Sequence, residues 1–302
     1  MSHKTDVVVI GAGPVSLFAV FELGLLNLKC HLIDNLDKIG GQCAELYPEK
    51  PVYDIPSRAR ITGEELIGEL MLQAKPFDPV FHLNQQADSI EKVGEEWKLT
   101  TSSNTVIQAR CIVIAAGAGS FVPRRPPLEN IELFENTSVF YSVRDKSKFK
   151  DKKILIVGGG DSALDWVNDL ASIADVTLMH RRKEFRASPD SVTKMLELEK
   201  NNKIKFVYGQ LDSLSGNEKN LNAVKYKHED EEFSIEVDYL LPFFGLKMEL
   251  GPIANWGINL HENLIKVDTE KFETSVPSIF AIGDINTYPG KLKLILSGFH
   301  ES

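Results

Sequence analysis

Residues 6–34 read DVVVIGAGPVSLFAVFELGLLNLKCHLID, and this stretch decides the fold. The apolar, β-branched residues 6–10 predict a buried parallel strand, and residues 17–26 predict a helix. A second short apolar strand is predicted at 30–33. The stretch therefore predicts a βαβ unit with a glycine turn after its first strand.

The glycine turn predicts a dinucleotide site. Gly11 permits the tight turn and Gly13, followed by Pro14, lets the backbone approach a pyrophosphate at the helix N-terminus. Asp34 lies 23 residues after Gly11, where a carboxylate can accept a hydrogen bond from a ribose hydroxyl. Ser16 replaces the third glycine of the fingerprint, which normally allows close packing of helix on strand, so we expect a slightly shifted helix.

Residues 153–186, KILIVGGGDSALDWVNDLASIADVTLMHRRKEFR, repeat the pattern. The repeat predicts a strand at 153–157, a helix at 163–173 and a strand at 176–179. The turn between the first strand and the helix is predicted to bind a second dinucleotide through Gly158, Gly160, Asp161 and Ser162.

A cationic group replaces the acid at the end of the second strand of this repeat. His180 occupies the position equivalent to Asp34, and Arg181, Arg182 and Arg186 follow it. Cations at this position suit the 2′-phosphate of NADP, whereas an acid would bind the ribose diol of NAD. Arg182 and Arg186 would converge on one anion if the segment were helical. The alternative is a solvated basic loop.

The composition fits a globular protein of two domains and excludes several other classes. The 302 residues carry a net charge of −9, which argues against a general nucleic-acid binder. The three cysteines form no CxxC motif and no metal-ligand spacing, so we predict no metal site and a reduced, cytoplasmic setting. The apolar residues 7–28 contain Pro14 and Glu22 and follow an acid, so we expect neither a targeting segment nor a membrane anchor.

Two dinucleotide sites indicate electron transfer, most simply from NADPH to a flavin. Three other segments favour the flavin: the strand CIVIAA at 111–116, which closes on glycines, the strand IFAIGD at 279–284, and the glycine-rich GGQC at 40–43. Asp284 ends the second of these strands, where a ligand hydroxyl can be bound.

These features resemble the pyridine nucleotide–disulfide oxidoreductase superfamily, and specifically its short thioredoxin-reductase-like branch, over the whole chain. Thioredoxin reductase needs a CxxC dithiol before the second glycine motif, and residues 136–144 read NTSVFYSVR instead. The chain is most similar to the thioredoxin-reductase-type ferredoxin–NADP⁺ reductases of bacteria. The segments that carry this resemblance are 40–56, 115–120, 142–148, 239–246 and 290–301.

The resemblance implies an α/β fold with two Rossmann-like, three-layer nucleotide-binding domains. The FAD domain would comprise 1–119 and 242–302, and the NADPH domain, 120–241, would be inserted into it. It also implies that Asp34 binds the adenosine ribose and Asp284 the ribityl chain. The remaining FAD contacts implied are Gln42 and Tyr47 along the cofactor, Ala87 through its backbone on the adenine side, and Phe121 near the flavin.

The implied reaction is hydride transfer from NADPH to flavin N5, followed by two one-electron transfers to ferredoxin, or the same steps in reverse. It requires no protein nucleophile. The resemblance also implies a homodimer. An acidic ferredoxin needs a basic docking face, whose candidates are Arg124, Arg125, Lys146, Lys148, Lys150, Lys152, Lys153, Lys291 and Lys293. Family members extend beyond the position of Ser302, so we expect the helix predicted to begin near Lys291, and the FAD domain with it, to be incomplete.

Two other functions remain open from the sequence. One is an NADPH-dependent flavin oxidoreductase that reduces a quinone, a dye or oxygen, because the choice of acceptor leaves little local trace. The other is a truncated, non-catalytic remnant that binds a nucleotide or a partner without turnover.

Overall fold

The computed structural model describes residues 2–117, 119–217, 219–229 and 231–302, and for residues 120–122, 246 and 248 only the backbone. The chain divides into two compact units: residues 1–122 with 247–302 form the first, and residues 123–246 form the second. The bounds predicted from the sequence are 119/120 and 241/242, and the division by compactness falls at 122/123 and 246/247.

Among the residues that the structure describes, the first unit contains four α-helices and most of the strands. Its helices are α1 (Pro14–Leu25), α2 (Gly41–Glu45), α3 (Gly63–Ala74) and α6 (Ile295–Glu301). Its strands are β1 (Ser2–Lys4), β2 (Val7–Ile10), β3 (Cys30–Ile33), β4 (Pro51–Val52), β5 (Ile61–Thr62), β6 (Val80–His82), β7 (Ala87–Val93), β8 (Glu96–Thr101), β9 (Val106–Ala109), β10 (Cys111–Ile114), β11 (Ser120–Pro123), β19 (Leu246–Glu249), β20 (Leu260–His261), β21 (Leu264–Lys266), β22 (Ile279–Ala281) and β23 (Asn286–Thr287).

A five-stranded parallel sheet, in the order β22-β10-β2-β3-β6, forms the centre of this unit. Its strands alternate between two cores: Val7 and Val9 pack towards α1, whereas Val8 and Ile10 pack against the four-stranded sheet β1-β9-β8-β7. Burial on both faces explains why β2 reads as a continuous apolar run. The result is a three-layer arrangement of helices, parallel sheet and second sheet.

The second unit repeats this plan on a smaller scale. It contains β12 (Lys153–Val157), α4 (Asp161–Leu170), β13 (Asp175–His180), α5 (Pro189–Lys200), β14 (Ile204–Tyr208), β15 (Gln210–Asn217), β16 (Asn220–His228), β17 (Glu231–Glu236) and β18 (Tyr239–Pro242). A parallel sheet in the order β14-β13-β12-β18 packs against the antiparallel sheet β15-β16-β17 through a shared core that includes Leu155, Val157 and Val224. The predicted α/β class with parallel sheets is confirmed.

Three helix starts differ from the sequence-based expectation. Helix α1 begins at Pro14, not at 17, because proline fits the first helical position, where no N–H is needed. Helix α4 begins at Asp161, two residues earlier than predicted. Helix α6 begins at Ile295, not near Lys291. Within the part of the chain that the structure describes, no helix is both long and apolar enough to cross a membrane.

Candidate dinucleotide sites

The first glycine turn lies between β2 and α1, and its two glycines serve different purposes. Gly11 has a φ of +104°, and a Cβ there would lie 2.4 Å from the carbonyl oxygen of Ala115, so only glycine fits. Gly13 has an ordinary φ of −79°, and a Cβ there would meet nothing within 4 Å. The space above Gly13 is therefore open to a ligand.

The N-terminus of α1 faces this space and is not capped by a protein side chain. No side chain caps the helix, and its first turn contains no acidic residue. The first N–H groups of a helix have no intrahelical partner, and the helix dipole favours an anion beside them. The turn therefore provides what a pyrophosphate needs.

Asp34 follows β3 directly, and its carboxylate is fixed in place. One oxygen accepts a hydrogen bond from the N–H of Ala12 (2.6 Å) and the other from the N–H of Leu36 (2.9 Å). Burial raises the pKa of Asp34 above its usual value, and the backbone N–H groups of Leu36, Ala12 and Asn35 oppose that rise. Each oxygen keeps acceptor capacity for a ribose hydroxyl.

A cleft extends from this turn along the carboxyl ends of the parallel strands. Its lining brings together eight of the nine residues that the sequence assigned to FAD: Gly11, Gly13, Pro14, Asp34, Gln42, Tyr47, Ala87 and Asp284. The side chain of the ninth, Phe121, lies outside the described residues. Clefts at the carboxyl ends of parallel strands are where such folds bind nucleotides, and binding of FAD in this cleft stays a prediction.

The cysteine in the cleft, Cys43, is buried beside a tyrosine. The Sγ of Cys43 lies 4.0 Å from the hydroxyl of Tyr47. Burial raises the pKa of Cys43 to about 11 and raises that of Tyr47 well above its usual value. A cysteine reacts as the thiolate, so the raised pKa disfavours Cys43 as a nucleophile at neutral pH.

Ser16 occupies the position of the third fingerprint glycine. Its side chain is fully buried, and its hydroxyl donates to the carbonyl oxygen of Ala115 over 3.4 Å. Helix and strand thus accommodate the hydroxymethyl group and give it a long hydrogen bond.

We expect Ser16→Gly to change the free energy of unfolding by less than about 1 kcal/mol, because a weak hydrogen bond is lost while closer packing becomes possible. Chemical denaturation of the flavin-loaded protein measures this difference. A loss of several kcal/mol would show that the hydroxyl has a larger structural role.

Glu301, in α6 beside the cleft, has a role that the sequence does not predict. One of its oxygens accepts hydrogen bonds from the N–H of Gly283 (2.7 Å) and the amide of Asn286 (2.9 Å). The other accepts from the hydroxyl of Tyr288 (2.8 Å) and pairs with the ammonium group of Lys291. The carboxylate of Glu301 is completely buried and the Lys291 side chain is 5% exposed, so this network fixes the loop that presents Asp284.

Gly13→Val tests whether the open space above the turn holds the cofactor. The backbone at Gly13 suits any residue, so we expect the variant to fold. The branched side chain would occupy the space that the pyrophosphate needs and weaken FAD binding about tenfold or more, equivalent to at least about 1.4 kcal/mol. Fluorescence titration of the apoprotein with FAD measures the effect. Gly68→Ala, on the exposed face of α3, is the control, and equal FAD affinity in both variants would contradict the assignment.

The second glycine turn is equivalent to the first in register. Ile10 pairs with Ile33 in the first unit, and Val157 pairs with Met179 in the second, so His180 occupies the position of Asp34. Gly158 would place a Cβ 2.8 Å from the carbonyl oxygen of Phe243, whereas Gly160, like Gly13, faces open space.

His180 packs directly on this turn. A Cβ at Gly159 would lie 2.4 Å from the imidazole, so glycine is required for the ring to approach. The Nε2 atom of His180 donates to the carbonyl oxygen of Glu184 (3.2 Å), and the ring stacks on Phe185. Burial lowers the pKa of His180, which leaves the ring neutral at neutral pH.

The arginines follow His180 in a loop and not in a helix. The predicted convergence of Arg182 and Arg186 depends on a helical backbone, which residues 181–187 do not have. The N–H of Arg186 instead donates to the carbonyl oxygen of Gly159 (2.7 Å), which folds the loop back onto the turn. The side chains of Arg181 and Arg182 are exposed there.

The acid at the start of α4 has a structural partner. Asp161 accepts a hydrogen bond from the N–H of Ser188 (2.8 Å), which ties the start of α5 to the turn, while Ser162 is exposed beside it. The residues predicted for this site therefore share one turn, although their contact with a nucleotide remains a prediction.

The predicted basic docking face is smaller than the sequence indicates. Lys291 is buried against Glu301, Lys146 pairs with Asp169 (3.0 Å) and Arg125 pairs with Glu135 (2.5 Å). Lys153 pairs with Glu236 (2.8 Å). Pairing reduces the positive charge that these cations present to a partner. Seven members of the set are exposed, and two of them, Arg125 and Lys153, belong to the pairs above; the seven are Arg124, Arg125, Lys148, Lys150, Lys152, Lys153 and Lys293.

Fold and sites together define a two-domain nucleotide-dependent oxidoreductase. The chain belongs to the pyridine nucleotide-disulphide oxidoreductase family, whose model matches residues 5–298. It is 58% identical over 301 residues to a protein of Parvibaculum lavamentivorans named ferredoxin–NADP reductase, and 57% identical to one of Nitrobacter hamburgensis with the same name. These alignments cover 99% of this chain and 88% of each relative.

Solved structures show the same fold. The thioredoxin reductase of T. acidophilum superposes with a TM-score of 0.86 at 23% identity, and that of Lactococcus lactis with a TM-score of 0.83 at 26% identity. Each superposition covers 99% of this chain and 95% of the other. The relatives at high sequence identity are named ferredoxin–NADP reductase, in agreement with the absence of CxxC from this sequence.

Proposed function

We propose that this protein transfers electrons between NADPH and ferredoxin through FAD. The observation that carries the proposal is the contrast at equivalent positions of the two units: a buried carboxylate, Asp34, ends β3, and His180 with Arg181 and Arg182 ends β13. The first arrangement suits a ribose diol and the second a ribose 2′-phosphate. The names of the relatives support ferredoxin as the partner.

The chain contributes binding and geometry to this reaction. When bound, FAD supplies hydride exchange with a nicotinamide and one-electron exchange with an iron–sulfur protein. Gly13 and the start of α1 would bind the pyrophosphate, Asp34 the adenosine ribose, and Asp284 the ribityl chain. Gly160 and the arginine loop would bind NADPH. The sequence contains no CxxC dithiol, so the chain has no such pair to pass electrons from a flavin to a disulfide.

Ferredoxin-dependent cytochrome c reduction tests the proposal. Purified protein with NADPH is expected to reduce cytochrome c rapidly only when ferredoxin is added, and NADH is expected to support a much lower rate. Equal rates with and without ferredoxin would favour the flavin oxidoreductase with a small-molecule acceptor. A colourless protein without turnover would favour the non-catalytic remnant.

The homodimer and the cytoplasmic setting expected from sequence belong to the same proposal. Size-exclusion chromatography with light scattering tests the homodimer.

A further inference from the structure

Three histidines that the reductase function does not use converge in the first unit. His3 lies on β1, His31 on β3 and His82 on β6, and all three are half-buried. His31 and His82 lie two residues apart in the register of adjacent parallel strands, so they share one face of the central sheet. His3 reaches the same place from the edge strand of the second sheet.

The spacing of the rings matches that of imidazoles around one ion. Imidazoles at metal–nitrogen distances of about 2.0–2.1 Å in a tetrahedral site have ring centroids about 5.2 Å apart. The observed centroid separations are 5.5 Å for His3–His31, 5.0 Å for His3–His82 and 5.1 Å for His31–His82. The Nδ1 of His31 and the Nε2 of His82 are 3.0 Å apart, close to the separation of two ligand nitrogens on one ion.

We propose that His3, His31 and His82 form a binding site for a divalent transition-metal ion such as Zn²⁺. Neutral imidazoles suit Zn²⁺, Cu²⁺ and Ni²⁺, whereas Mg²⁺ and Ca²⁺ prefer oxygen ligands. Three protein nitrogens leave the fourth tetrahedral position for water.

Metal binding requires a local rearrangement of two side-chain contacts. In the conformation described, His31 and His82 bond to each other, and among the described residues no three His, Cys, Asp or Glu side chains are placed to hold a metal ion without rearrangement. A half-turn of the His3 ring about its Cβ–Cγ bond exchanges its nitrogens with carbons and leaves the centroid in place. The His31–His82 hydrogen bond then opens as both nitrogens turn to the ion.

The site would tie together strands that also carry the nucleotide site. His31 precedes Asp34 by three residues, and the backbone N–H of Asp34 donates to the carbonyl oxygen of His82 (3.1 Å). An ion bound by both histidines would therefore hold β3 and β6 together next to the ribose-binding carboxylate, and we expect it to raise the Tm of the protein.

Isothermal titration calorimetry of the flavin-loaded protein with ZnCl₂ tests the site. We expect one saturable site per chain. We expect His3→Ala, His31→Gln and His82→Gln each to weaken it at least about 10-fold, because loss of a ligand should cost no less than loss of a residue that only orients one. His261→Ala, which removes an exposed histidine on β20 of the same unit, is the matched control and should bind as the unmodified protein does.

X-ray absorption at the zinc edge gives an independent readout. Three imidazole nitrogens and one oxygen around the bound ion support the proposal. The proposal would be overturned if the three single substitutions left Zn²⁺ binding unchanged. It would also be overturned if the unmodified protein bound no more Zn²⁺ than a variant with His3, His31 and His82 all replaced. The assay does not depend on ferredoxin reduction, so failure of the metal site and failure of the proposed function are distinguishable.

Discussion

Glu301→Ala is expected to lower the free energy of unfolding by about 3–5 kcal/mol, because it leaves a buried ammonium group without its partner. The Lys291 side chain is 5% exposed and the Glu301 side chain 0% exposed, so water cannot replace the lost carboxylate without local opening. The same change leaves the N–H of Gly283 and the amide of Asn286 without their acceptor. Urea denaturation of the flavin-loaded protein measures the loss.

The consequence for function follows from the position of Gly283. It precedes Asp284, and Ile295 of α6 also lines the cleft. The backbone around Gly298 is packed so closely that a Cβ there would lie 2.3 Å from Val15. Loosening this contact between α6, Gly283 and α1 is therefore expected to weaken FAD binding about tenfold.

Two further variants distinguish the cost of leaving Lys291 without its carboxylate from the cost of replacing any glutamate. Glu270→Ala removes an exposed carboxylate of the same unit and should change stability by less than about 0.5 kcal/mol. The double change Lys291→Met with Glu301→Leu removes both charges and should cost less than Glu301→Ala alone. A double variant less stable than Glu301→Ala would contradict the account of an uncompensated buried lysine.

Replacing Arg181 and Arg182 together by Ala is expected to lower kcat/KM for NADPH about 100-fold and to leave kcat/KM for NADH nearly unchanged. A hydrogen bond to a charged group contributes about 1.5 kcal/mol at the lower limit, which we take for exposed side chains. Two such bonds are lost in the double variant, and only NADPH has the 2′-phosphate that accepts them. Steady-state kinetics with an artificial acceptor and each nucleotide measures the ratio. The substitutions lie in an exposed loop, so the variant should retain its fold.

Arg110→Ala is the matched control, because it removes an exposed arginine of the first unit. It should affect neither nucleotide. Equal losses with NADPH and NADH in the double variant would show that the arginine loop does not select the 2′-phosphate, and the alternative of a solvated basic loop would then be favoured.

Local patterns predicted the parts of the sites that depend on local geometry. The turns at Gly11 and Gly158 and the contrast between Asp34 and His180 are visible in sequence, because a βαβ unit places them at fixed offsets from apolar strands. Helix starts were less accurate: a glycine N-cap followed by Pro14 or Asp161 permits a helix to begin before its apolar residues do.

Long-range contacts could not be predicted in this way. Glu301 meets Gly283, Asn286, Tyr288 and Lys291 at separations of 10 to 18 residues without a periodic pattern. A charged residue in sequence also reads as exposed, so Lys291 was assigned to a docking face although it is buried. The three histidines are separated by 28 and 51 residues, a spacing that resembles no metal motif and that only the sheet order brings together.

Anaerobic spectral titration of the purified protein tests the central claim, that one chain holds FAD in its first unit and NADPH in its second. The account predicts a yellow protein that releases FAD on denaturation. It also predicts that one equivalent of NADPH bleaches the visible flavin absorption, and that the same amount of NADH bleaches it far more slowly. Equal bleaching by NADH and NADPH, or a protein that binds no FAD at saturating concentration, would contradict it.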